Sequence, residues 1–511
     1  MLFRSQDTWK ATRRLTLNYG IRFSYYTPWH QANGRGLNFV PSLYNPAKAV
    51  QLYRPVLNAE GQPVAQNPLT GELLPQGFIG SIVPGSGDLN NGLVSAKTPG
   101  VPEGFMYNRG VQYGPRFGFA YALTKDNNTV LRGGFGVAYS GHDIQNLIVG
   151  TVLNTSQTAT EFNGTFATLT SAPTAIFPSS FNAINPQTKD PTIYSYSLGV
   201  QRYIGKGTLV DAAYVGTLGR HLDQPQTAFN AVAPGSQFLP QNQDPTNPGL
   251  PLPDDFFRPY RGYSDIAVQQ FVNSNYNALQ LAVVHRFAKR LELSANYSWS
   301  KSLGYNAPFA TYYNNKLQYG LQPFDRTHIL RFYYVYNLPN VGGRWNARPA
   351  RWVLDNWQLS GITTFESGVP QSLTCQFTYP VNLFGGGDYS RCNLTGPVHL
   401  SRSDRTFYRF FNTGVVQPPT ATNPGNAGPG VVRGPGVEDF DTSVFKNFPI
   451  TEKSYVQFRV ETFNTFNHPQ FNKVDTNAQF DQTGQQVNAH FGQIIGDYLP
   501  RQVQLALKLI F

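Results

Sequence analysis

The side chains of this chain that could ligate a metal or move a proton are eight histidines, two cysteines and 29 carboxylates. A metal site needs three or four ligands brought together. His30, His142, His221, His285, His328, His399, His468 and His490 are scattered, and no two stand at ligand spacing. Zinc-hydrolase, phosphate or nucleophilic chemistry would show respectively as an HExxH helix, a G-x-x-x-x-G-K-[ST] loop or a G-x-S-x-G elbow, and the sequence carries none of them. Gly133, Gly134 and Gly136 around Phe135 are expected as strand glycines on a polar face, not as a phosphate cradle. Asp254 and Asp255 are adjacent carboxylates for ligand or cation contact, with solvated loop polarity as the default. Cys375 and Cys392 lie in one loop-like stretch. In an oxidising compartment they could pair, and otherwise they are free thiols; both alternatives stand. The expectation is a chain with no enzymatic activity, no metal and no cofactor.

Composition points to the elements instead. Only 14% of the 511 residues are charged and 14% are aromatic, with 48 Gly and 38 Pro. Few charges, many aromatics and many turn residues describe β-structure with long loops. The formal net charge is +11, but Arg13-Arg14 and Lys289-Arg290 are only pairs, at turns, so nucleic acid is not an expected partner. No run of 18 apolar residues supplies a membrane helix, and Met1 to Arg4 begins no signal peptide.

Period-2 alternation recurs along the chain. It is cleanest at the end, where Val503, Leu505, Leu507, Leu509 and Phe511 alternate with Gln502, Gln504, Ala506, Lys508 and Ile510. The spacing predicts twelve complete strands at 13–26, 115–124, 129–140, 192–203, 208–217, 276–287, 290–301, 327–338, 355–368, 439–448, 454–463 and 501–511, with the tail of a thirteenth at Leu2 to Trp9. A strand of about 10 residues tilted by about 40° spans about 25 Å, the apolar height of an outer membrane. Short turns alternate with long polar stretches at 27–114, 141–191, 218–275, 302–326, 369–438 and 464–500. Sorting turns and loops to opposite ends is the layout of an outer-membrane barrel.

In a barrel the backbone groups pair between strands, so the outer face must be apolar and the inner face can be polar. Turning the apolar faces outward sends Arg22, Arg132, Asp211, Arg286, Glu292, Arg331, Asp441, Arg459, Glu461 and Lys508 into the lumen. Tyr25, Tyr26, Trp29, Tyr297 and Trp299 fit an aromatic girdle on the long-loop side.

The sequence also resembles a known family. Gln6 to Arg22, Ser197 to Arg202 with Ala213 to Thr217 and Gly219 to Leu222, Ser274 to Gln280, Asp325 to His328, Arg433 to Gly436, Asp441 to Asn447, Phe458 to Asn464 and Phe466 to Phe471 are similar, in that order, to Oar-like TonB-dependent receptors. The resemblance implies a 22-stranded barrel with an N-terminal plug, energised through TonB. It implies that residues 1–511 are the C-terminal part of that barrel, without the plug, the extension and the first strands. The last strand resembles the signal read by the barrel assembly machinery, carried by Leu505, Leu507, Leu509 and Phe511.

The function expected is a receptor or transporter barrel in the bacterial outer membrane, catching a large ligand with its long loops. TonB-energised uptake is expected only of the full-length protein. Lipid, lipopolysaccharide, the assembly machinery and an extracellular ligand are the expected partners. The alternatives are a structural or adhesive protein on the same barrel, and a soluble secreted polysaccharide-binding β-protein.

Overall fold

In the computed structural model the described residues are 2–30, 36–142, 157–159, 174–223, 227–233, 235–268, 271–287, 290–305, 318–344, 348–379, 391–420, 423, 425–451 and 454–511. One antiparallel sheet dominates them. Its strands, in chain order, are β1 (Leu2–Lys10), β2 (Leu15–Tyr25), β3 (Val111–Ala122), β4 (Thr129–Tyr139), β5 (Thr192–Gly205), β6 (Thr208–Asp223), β7 (Phe271–Phe287), β8 (Leu291–Tyr305), β9 (His328–Asn337), β10 (Trp357–Glu366), β11 (Val437–Pro449), β12 (Tyr455–Phe463) and β13 (Gln502–Ile510). Each pairs with the strand before and after it in the chain. This is an up-and-down meander, the order that sequential hairpins impose. Among the described residues no pairing joins β1 to β13. Among them, too, no helix is long and apolar enough to cross a membrane.

Each expected strand is present. Several run further than the alternation indicates, among them β6, β7 and β8, which have 16, 17 and 15 residues and extend toward the long-loop side. Their extensions carry Arg220, Asn273, Ser274, Asn275 and Ser302, so the apolar period fades there while the hydrogen-bond ladder continues.

The register fixes which side chains share a face, because a slip of one residue would exchange them all. Leu17 pairs with Phe119, Leu131 with Val200, Leu281 with Tyr297, Leu330 with Phe365, and Val460 with both Val444 and Leu505. This continuous apolar face is uncovered: Leu505 is 65% and Leu507 74% exposed. The register puts all ten charges named above on the opposite face, where Arg286 pairs with Glu292 at 3.2 Å and Arg331 with Glu366 at 2.6 Å. Asp7, Arg202 and Lys446 are among the charged residues that depart from that rule. Asp7 pairs with Tyr19, Arg202 with Val210, and Lys446 with Trp357 and Phe458, all on the apolar face. Gly133 lies there too, against the expectation for the glycine cluster. A Cβ on it would run into the Phe119 ring, whereas Gly134 and Gly136 face inward.

The turns are tight on one side. Gly205, Lys206 and Gly207 all have positive φ (90°, 50° and 79°), which closes the β5–β6 hairpin in two residues. The turn from β9 to β10 is the exception, carrying a 3-10 turn at Gly342–Arg344 and a helix α1 at Arg348–Leu354.

On the other side the loops build cores of their own. Phe39, Ala183, Tyr263 and Ile266 pack together from three loops, and Ser179–Ala183 runs parallel to Tyr263–Val268. A second cluster, including Leu373, Cys375, Cys392, Phe411, Ala478 and Phe480, joins two more loops. There Thr374–Phe377 pairs parallel to Asn477–Phe480.

Candidate functional site: the lumen wall and loop mouth

The inward face of the wall is divided by charge. On β1 to β4 its described residues present Arg4, Lys10, Arg22, Arg116 and Arg132, and no carboxylate. Arg4, Arg22 and Arg116 surround a cavity of about 340 Å³ beside Gly20. On β10 to β12 the same face presents Glu366, Asp439, Asp441 and Glu461, with Arg459 as the cation among the described residues there. A second cavity, of about 410 Å³, is lined there by Arg326, Glu366, Asp439, Asp441, Gln470 and Tyr498. Arg326 reaches Glu366 at 3.4 Å, and Asp441 accepts the Asn464 backbone N–H at 3.0 Å. Strand alternation predicts Asp441, Glu461, Arg22 and Arg132. Arg4, Arg116, Glu366 and Asp439 were missed, although each adjoins an apolar or aromatic residue that would have revealed its face.

Above the wall, a third cavity of about 240 Å³ is lined by Tyr25, Tyr26, Trp29, Arg109, His142 and Asp190. The Tyr26 hydroxyl donates to the Tyr139 carbonyl at 2.8 Å, which ties the start of the first long loop to the end of β4. His142 Nδ1 lies 2.9 Å from Asp223 and Nε2 3.5 Å from Asp190. Burial alone would lower the imidazole pKa, but the hydrogen bonds and charges of both carboxylates outweigh it and hold it up at about 9. His142 follows β4, Asp190 precedes β5 and Asp223 ends β6, so one imidazolium fastens three strand ends.

A histidine whose folded pKa is raised stabilises fully below its unfolded value of 6.5, and that contribution is lost as pH climbs through about 9. With solvent screening it amounts to about 1–2 kcal/mol. Hydrogen-exchange protection of residues 186–194 and 218–223, beside Asp190 and Asp223, should therefore be flat up to about pH 6.5 and decline through about pH 9 once corrected for intrinsic exchange. In His142→Gln the decline should vanish; an identical decline in the variant would assign it elsewhere.

The two cysteines are joined, with Cα atoms 5.2 Å apart, at the centre of the second loop core. Closing a loop with a sequence separation of 17 is worth about 3 kcal/mol. Cys375→Ser with Cys392→Ser should loosen the loop between β10 and β11 to proteolysis while the heat-modifiable barrel band persists. A protease pattern identical to the parent would show that the core holds without the bond. Asp254 and Asp255 do not project free into solvent. The Asp254 carboxylate accepts from Gln237 Nε2 at 3.0 Å, and Asp255 pairs with Arg258 at 2.9 Å and accepts from Ser264 at 2.9 Å. Burial pushes the Asp255 carboxyl up, against the pull of Ser264 and Arg258. The pair braces the loop. Among the described residues no group of three His, Cys, Asp or Glu could hold a metal. Leu505, Leu507 and Leu509 face Val460, Phe458 and Val456 on the apolar side, and Phe511 follows the last paired residue, Ile510. Trp299 is on the same apolar face, and Tyr297 shares a hydrogen bond with His328 at 2.8 Å.

A family model described as the outer membrane beta barrel domain matches residues 3–504. The chain belongs to that family. This barrel therefore resides in the bacterial outer membrane, and the uncovered apolar face is its lipid surface. A soluble polysaccharide-binding protein is ruled out on both counts. Among solved structures the barrel is similar to the copper transporter OprC, with 10% identity, a TM-score of 0.37, and 98% of this chain and 46% of that one covered. It is similar to the outer membrane transporter YddB from Escherichia coli, with 9% identity, a TM-score of 0.44, and coverages of 100% and 53%. It is similar to the ferric-catecholate import receptor Fiu from E. coli K12 in its closed form, with 12% identity, a TM-score of 0.40, and coverages of 100% and 44%. The barrel thus spans about half the length of these structures. No curated protein matches the sequence.

Proposed function

We propose that the barrel is a receptor or transporter for a large ligand, captured by the loop mouth and passed along the lumen wall. It acts as a binding and conducting surface and not as an enzyme. The observation that carries this reading is the mouth itself. Long loops from separate hairpins are welded by buried clusters and cross-loop pairing into a fixed surface next to a charged lumen. Loops held rigid on a scaffold are suited to recognition, and the divided lumen charge suits a ligand or an inserted domain bearing both signs. Energised uptake through TonB belongs to the full-length protein, as the resemblance to TonB-dependent receptors implies.

Cells expressing the full-length protein should accumulate a radiolabelled ligand drawn from ferric siderophore complexes, oligosaccharides or peptides. Accumulation should fall to background when TonB is deleted. Uptake unchanged by that deletion would remove the energised mechanism, and surface binding without uptake would favour an adhesive role. The last strand serves as the assembly signal in this reading. Phe511→Ala should lower membrane insertion, and Lys508→Leu, on the lumen face, should leave it near the parent. Equal insertion of Phe511→Ala and the parent would dismiss the signal.

A further inference from the structure

Among the described residues, the turn from β9 to β10 is the short-side connection that folds back onto the lipid surface. The Trp352 ring of α1 lies 4.6 Å from Phe448, and the Trp357 indole N–H donates to the Val353 carbonyl at 2.8 Å. Phe448 belongs to the apolar face, pairing with Val456, which pairs in turn with Leu509. The helix is therefore laid against the outside of the wall, at the end where the short turns lie. Short turns face the periplasm in outer-membrane barrels, so this end meets the phospholipid leaflet.

Beneath the helix sits Lys446, on the lipid face yet only 2% exposed. Its ammonium donates to the Asp355 carbonyl and lies 5.3 Å from the centroids of both Trp357 and Phe448. The turn thus closes over a cation that would otherwise look into the membrane. The outer side of the helix has the opposite character. Trp352 and Val353 are 57% and 55% exposed, and Arg344, Arg348 and Arg351 are exposed around them. At about 100° per residue, Arg351, Arg348 and Trp352 fall on one face. The basic character is regional. The connections 11–14, 123–128, 206–207, 288–290, 338–356 and 450–454 together hold ten of the chain's 40 Lys and Arg but only three of its 29 Asp and Glu.

We propose that Arg348–Leu354 is a lipid-binding collar. Trp352 and Val353 enter the periplasmic leaflet, and Arg344, Arg348 and Arg351 hold the phosphates of anionic phospholipids. Two features select a leaflet lipid as the occupant. The exposed indole continues the lipid stripe of Phe448, Val456 and Leu509, where an indole spanning apolar and wet zones is at home. The adjoining guanidiniums match a phosphodiester in charge and fork geometry.

The test is tryptophan quenching of the purified chain in phosphatidylcholine vesicles containing about 30% phosphatidylglycerol, an anionic surface of the kind that attracts basic segments. Either lipid carries bromine near the headgroup, and the difference between the parent and Trp352→Phe isolates the Trp352 signal. Brominated phosphatidylglycerol should quench that signal at least about twofold more, per mole, than brominated phosphatidylcholine. Arg344→Gln, Arg348→Gln and Arg351→Gln together should bring the ratio to about one while the heat-modifiable band is kept. About 0.5 M salt on the parent should lower the ratio in the same way, independently of any variant. Equal quenching by the two lipids, quenching by neither, or a ratio indifferent to salt and to the arginines would each overturn the proposal. Quenching by neither would mean that the helix faces a protein.

Discussion

Leu505→Arg will strip most of the folded barrel from the outer membrane, and Gln504→Arg, one residue earlier, will not. Leu505 pairs with Val460 on the lipid face, and Gln504 pairs with Glu461 on the lumen face. An arginine facing hydrocarbon near the midplane costs about 2–4 kcal/mol. An arginine at 504 instead gains a carboxylate across the strand. Since each 1.4 kcal/mol is about tenfold in an equilibrium, the heat-modifiable band should fall by about tenfold or more for Leu505→Arg. For Gln504→Arg it should stay within about a third of the parent. Comparable losses from both substitutions would mean that the two faces do not differ in solvent, and the lipid assignment of this strand would fail.

Breaking the Asp325–Arg433 clasp will have the other large effect, confined to the loop mouth. Asp325 is 1% exposed on its side chain. Its carboxylate accepts the Ser302 backbone N–H at 2.6 Å and pairs with the Arg433 guanidinium, which also donates to the Asp325 and Gly368 carbonyls at 3.1 Å each. Close approach of the backbone completes the joint. A Cβ on Gly368 would collide with the Gly434 carbonyl oxygen, so only glycine fits. Arg433→Met leaves the carboxylate buried without its charge partner, at about 3–5 kcal/mol. Hydrogen exchange at 318–327 and 425–436 should accelerate accordingly, while exchange in β2 to β4 is unchanged. Asp325→Asn in the Arg433→Met background should recover part of the loss, with a coupling energy of about 2 kcal/mol. Strict additivity of the two substitutions would show that the residues act separately.

Much of the wall was legible in advance because strand faces are a local property. The alternation that runs from Val503 to Leu509 recurs through the membrane portions of the wall, as in Leu15 to Tyr25 and Leu291 to Trp299. A period of two assigns each residue to lipid or lumen before any partner is known. That argument is enough to place Arg22, Arg286 and Glu461 together on one face. It fails at Lys446 because parity puts that side chain toward lipid, and nothing local says that Trp352, Trp357 and Phe448 will shelter it. It also gives no sign of α1, a seven-residue helix in a turn that reads as Pro and Gly punctuation.

The mouth was another matter. Asp325 and Arg433 stand 108 residues apart, and Asn38 holds the Ile184 carbonyl at 2.9 Å across 146. His142 finds Asp190 and Asp223 only because three strand ends converge. Asp254 and Asp255 become braces through Gln237, Arg258 and Ser264. The order of hairpins, the sidedness of the wall and its outer-membrane setting were written in the sequence, since each follows from alternation within about ten residues. The loop cores, the clasp, the charge-divided lumen and the helix on the lipid face were decided by tertiary structure. Their energies come from contacts between segments whose meeting no local period encodes.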